Sequence, residues 1–163
     1  CLRGGNRGGV VRWNRGFARA DRRCGKIASG QPVRVGHLSL RLERCARLFA
    51  AAGRGLLHAE SDAERQEHSG DLVAQGETLR ALAREVPEGN LKDVARRLTV
   101  LAPIAAGVEA DDAETQDRAV RLVVEIADAI ANVIARQDDD MFAFPADITR
   151  RMDKRFPGLA AAA

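Results

Sequence analysis

The sequence predicts an all-α protein: an antiparallel four-helix bundle with a short C-terminal helix and a flexible N-terminal arm. Three observations carry that reading. Ala, Leu and Arg dominate, aromatics make up 4% and Tyr is absent, a balance that suits helices better than sheets. Apolar residues recur every three or four positions in four separate stretches. The breaks between those stretches are short and hold capping or helix-breaking residues, which makes sequence neighbours spatial neighbours. At 163 residues, 45% of them hydrophobic, the chain is long enough for one sizeable core.

Residues 1–37 form the arm. They hold eight of the 15 glycines and show no helical or alternating period, so they are expected to be mobile. Nine Lys/Arg against one Asp give the arm a charge of +8. In residues 38–163, the bundle domain, 17 against 22 give −5. The basicity therefore belongs to the arm. RGGNRGGVVRWNRGF mixes Arg and Gly with Trp13 and Phe17, a composition able to hold phosphates and stack bases, which makes nucleic acid one possible partner.

Helix one follows from the spacing of Leu38, Leu42, Cys45, Phe49, Ala52 and Leu56, weakened by Gly53 and Gly55. Ser61 and Glu64 have capping-box spacing and open helix two, which is expected to bury Leu72, Val73, Leu79, Leu82 and Val86. Pro87 to Asn90 break it. Asn90 is expected to cap helix three, with Leu91, Val94, Leu98, Leu101 and Ile104 on one stripe and Pro103 kinking or shortening its end. Asp111 and Glu114 repeat the capping-box spacing before helix four, which should reach about Gln137. Asp138 to Asp140 form a polar stop, MFAFP an extended link, and Ala146 to Phe156 the last helix.

On helix four, Val123, Ile126, Ala127, Ile130 and Ile134 make the apolar face. Arg121, Glu125, Asp128 and Asn132 gather on the other side. Two carboxylates three residues apart can share a hard cation such as Mg²⁺. The same pattern also describes a solvated face with an Arg121–Glu125 pair. On helix two, Glu64, Glu67 and His68 form an acidic and imidazole cluster, of which Glu64 and His68 continue the apolar stripe and are expected to turn inward, where ionisable groups need partners. The Glu64 to His68 spacing does not fit the Glu-x-x-His of di-iron bundles.

EIAD at 125–128, Pro145, and then RRMDKRFP at 150–157 together resemble the all-α nucleoside triphosphate pyrophosphohydrolases of the MazG and dCTP-pyrophosphatase group, over about 35 residues. Arg41, Phe49 and His58 are similar to that group's first helix. The resemblance implies Mg²⁺ as cofactor, a nucleotide as partner and cleavage between the α- and β-phosphates, with Glu125 and Asp128 as catalytic metal ligands. Glu64 and Glu67 would supply the second acidic pair. Arg151 and Lys154 would meet phosphate, and Asn132 completes the substrate face. Glu85 with Glu88, and Glu109 with Asp112, are other acidic pairs, although Pro87 and a turn interrupt them. The Asn of the family's last helix is missing here.

The bland alternative is a non-catalytic helical protein that binds a partner chain. Homo-oligomerisation is expected in either case. Cys1, Cys24 and Cys45 make no CxxC or Cys/His cluster, so neither a zinc site nor a disulfide framework is indicated. The longest uncharged run, LTVLAPIAAGV, has 11 residues, too few to cross a bilayer. With no signal-type apolar region near the start, no membrane association and a cytoplasmic location are expected.

Overall fold

A computed structural model describes residues 35–136 and 144–163 of the chain. Residues 1–34 of the arm, the polar stop at 138–140 and most of the MFAFP link lie outside the described residues, and the last three arm residues, from Val35 to His37, are already helical. The described residues belong to one compact unit. Its elements are α1 (Val35–His58), α2 (Asp62–Glu85), α3 (Asn90–Ala105), α4 (Ala113–Arg136), α5 (Asp147–Arg155) and α6 (Leu159–Ala162). All are helical, and no described helix is long and apolar enough to cross a membrane.

The four long helices close a ring. α1 packs on α2 and α4, and α3 packs on the same two helices from the other side. Each contributes the stripe expected of it. Leu42, Phe49 and Ala50 of α1, Leu72 and Leu82 of α2, Leu98 and Leu101 of α3, and Val123, Ile126 and Ile130 of α4 are essentially inaccessible. Burial of each of these Leu, Ile, Val and Phe side chains stabilises the fold by roughly 1.5–3 kcal/mol. Val73 is the exception: it stays 39% exposed, because it falls outside the stripe of Leu72, Leu79 and Leu82. Ile104 is only half-buried.

Local chemistry sets the ends. Ser61 accepts from the Glu64 amide while the Glu64 carboxylate takes the Glu60 and Ser61 amides, a complete capping box. At α4 the cap falls one residue later than expected: Asp112, not Asp111, accepts from the Thr115 amide at 2.6 Å. At α3 the capping residue is Gly89, without a side-chain bond. Asn90 instead donates to the Phe144 carbonyl at 3.1 Å, tying the chain before α5 to the start of α3. Pro103 lies inside α3, which ends two residues later at Ala105.

Gly53 and Gly55 of α1 are packing devices, not weak points. A Cβ on Gly53 would stand 2.6 Å from Val124 Cγ2 of α4, and one on Gly55 2.5 Å from the His68 ring of α2. Bare backbone at these two positions lets α1 approach both neighbours. Beyond the ring, α5 buries Ile148 and Met152. It runs alongside α3, tied there by Asn90–Phe144 just before it and by Arg97–Asp153. The chain then turns through Gly158 into α6, an element not anticipated, whose Leu159 is buried and which also packs on α3.

Candidate functional site

The acidic side of α4 meets two other helices. Asp128 receives Arg54 of α1 at 2.7 Å. Glu125 receives two arginines of α5: Arg151 donates to Oε1 at 2.9 Å and Arg155 to Oε2. Arg151 also stands 3.7 Å from Asp147, one turn back on its own helix. The expected Arg121–Glu125 pair does not form. Arg121 turns the other way along α4 and binds Asp117 at 2.8 Å, since positions four before and four after are equally reachable on a helix.

A second strap lies on the other side of α5. Arg97 of α3 grips Asp153 with two bonds, 2.9 and 3.1 Å, and also reaches the Asp93 carbonyl. The hydrogen bonds to Asp153 raise the Arg97 guanidinium above its ordinary range, so this fork stays charged. Along RRMDKR, then, Met152 points into the core, Arg151 and Arg155 reach α4, and Asp153 reaches α3. Lys154 and Asn132 are exposed and make no hydrogen bond or ion pair with the described residues.

The acidic residues of α2 are elsewhere. Glu64 is exposed and committed to its cap. The Glu60 and Ser61 amides hold its carboxyl below the usual glutamate range. Glu67 is exposed. His68 alone turns inward: it is half-buried, its ring packs against Gly55, and its buried Nδ1 has no hydrogen-bond partner. Glu85 is held by Arg41 of α1 at 3.0 Å and Glu88 by Lys92 at 2.7 Å.

Among the described residues no three His, Cys, Asp or Glu side chains gather closely enough to hold a metal ion. Glu64, Glu67, Glu125 and Asp128 therefore do not form one donor set. Three guanidinium groups stand on Glu125 and Asp128, and a divalent cation would have to displace them against like-charge repulsion. These residues do not fit a Mg²⁺ centre. The partners that sequence reasoning missed are Arg54, Arg97 and Arg155. Arg54 lies 74 positions from Asp128 and Arg97 56 from Asp153, and no local pattern signals such pairings. Compared with known proteins, the chain matches no family model, no curated protein and no solved structure.

Proposed function

We propose that this chain is a non-catalytic helical interaction module, and that Glu125 and Asp128 join helices instead of binding a metal. The observation that carries this reading is the occupation of both carboxylates by arginines of α1 and α5, with no metal-holding group of acidic side chains among the described residues. Where an ExxD pair serves catalysis, its oxygens must be open to a cation. Here they cross-brace the bundle.

The surface offered to a partner is the outer face of α1 and α2. Leu48 is 44% exposed and borders two hollows of about 200 and 300 Å³. Leu40, two turns earlier on the same stripe, is 67% exposed. A second copy of the chain is the first partner to test.

The nucleotide pyrophosphohydrolase reading keeps one specific support. Asp147, Arg150, Arg151 and Lys154 line a hollow of about 310 Å³ next to Glu125, a basic setting that suits phosphate. One assay separates the two readings: pyrophosphate release from a panel of deoxynucleoside triphosphates with Mg²⁺, for the natural chain and for Asp128→Ala. No release from either is expected. Release that disappears in Asp128→Ala would establish the enzyme and sink the interaction module. Light scattering on the same sample reports whether two copies associate.

A further inference from the structure

The strongest feature outside the α4 face is a cleft of about 490 Å³ between α2 and α3. Arg80 and Arg84 of α2 line it, as do Lys92 and Arg96 of α3. Each pair is four residues apart, so each helix presents two cations on one face. The short turn between the helices places the two pairs on opposite walls. Thr99 of α3, Ala162 of α6 and Ala163 complete the wall, and no side chain in the lining is a carboxylate.

The neighbouring acids leave this charge incompletely answered. Glu77 takes Arg80 at 2.9 Å. Glu88, 74% exposed, takes Lys92 and stands 3.6 Å from Arg96, which also lies 3.9 Å from Asp93. Arg84 is exposed and has no ion pair or hydrogen bond with any described residue. Exposed pairs of this kind are weak and exchange readily for a better anion. The Lys92 side chain is only 12% exposed, so its ammonium is held at the cleft wall and does not sweep through solvent.

We infer that the α2–α3 cleft binds a dianionic phosphate group, free or carried on a small organic molecule. Guanidinium forks on facing walls match the oxygens of a phosphate, which accept paired N–H donors. The volume is that of a small-ligand site. Ala83 and Val100 give the cleft an apolar floor on which an organic substituent can rest. It has no aromatic ring, so the phosphate carries the recognition.

Titration calorimetry on the full chain at low ionic strength tests this, with inorganic phosphate and phenyl phosphate as probes. Both should bind, and added salt should weaken both. Arg84→Gln and Arg96→Gln should each raise the Kd about tenfold, the loss of one charge-assisted hydrogen bond. Arg65→Gln, at the far end of α2, should change nothing. Because the Arg84 side chain braces no other residue, its variant keeps the fold, and circular dichroism checks that. Phenyl phosphate binding tighter than inorganic phosphate assigns the cleft to phosphate esters, and equal binding assigns it to the free ion. If neither probe binds, or if Arg65→Gln weakens binding as much as Arg84→Gln, the site does not exist. This inference goes beyond the interaction module and does not rest on it: nucleotide turnover at α4 would leave the cleft standing.

Discussion

At the scale of single residues, Gly53 and Gly55 of α1 show how packing overrides propensity. Ala is favoured over Gly inside a helix by about 1 kcal/mol, and at Gly70 of α2 nothing lies within 4 Å of the place a Cβ would take. Gly70→Ala should therefore stabilise the protein by about that amount. At Gly55 the added carbon would meet the His68 ring at 2.5 Å, and overpacking of this kind costs about 1–3 kcal/mol. Thermal denaturation should give a higher Tm for Gly70→Ala and a lower one for Gly55→Ala. A rise in both would show that His68 moves aside freely and that the close approach of α1 and α2 is not needed. Sequence alone marks Gly53 and Gly55 as weak points, because propensity is local and the ring that meets Gly55 belongs to another helix.

At the scale of elements, α5 is held by two kinds of contact of unequal strength. Met152 is fully buried, and its truncation to Ala should cost about 2–5 kcal/mol. The Glu125 pairs with Arg151 and Arg155 are close to half-exposed, and such pairs contribute at most about 1 kcal/mol each. Amide exchange should rise steeply through α5 and α6 in Met152→Ala and only slightly in Arg151→Ala. The reverse order would mean that the charges, not the apolar contacts, dock this helix. The stripe containing Met152 is legible from periodicity. The straps are not: Arg97 and Asp153 belong to different helices, and only the fold brings them to 2.9 Å.

At the scale of the whole molecule, three carboxylates are held low by the folded chain and tie its stability to pH. Glu64 is held low by the amides of Glu60 and Ser61, Glu88 by Lys92, and Asp112 by the Thr115 amide. A carboxyl whose folded pKa is depressed contributes stability above its unfolded value and loses it as pH falls through the folded one. Tm should therefore hold steady above the ordinary values of 4.5 for glutamate and 3.8 for aspartate and fall as pH drops beneath them. Glu64→Gln should flatten that decline. An unchanged slope would show that the capping box does not distinguish folded from unfolded chains. The box itself was readable in Ser61 and Glu64, since its members lie three residues apart and need no tertiary partner.

Local sequence was enough for the four long helices, α5, most of their buried stripes and the all-α class, though not for α6, because periodicity and capping act over a turn or two of backbone. It also singled out Glu125 and Asp128, since spacing alone places them on one face. Only the tertiary structure decided what those carboxylates touch. An ionised side chain takes whichever opposite charge the packing of distant helices brings within reach, and for this pair that charge comes from Arg54, Arg151 and Arg155. The cleft between α2 and α3 is likewise a product of packing: its four cations are ordinary helix-surface residues until two helices set them face to face.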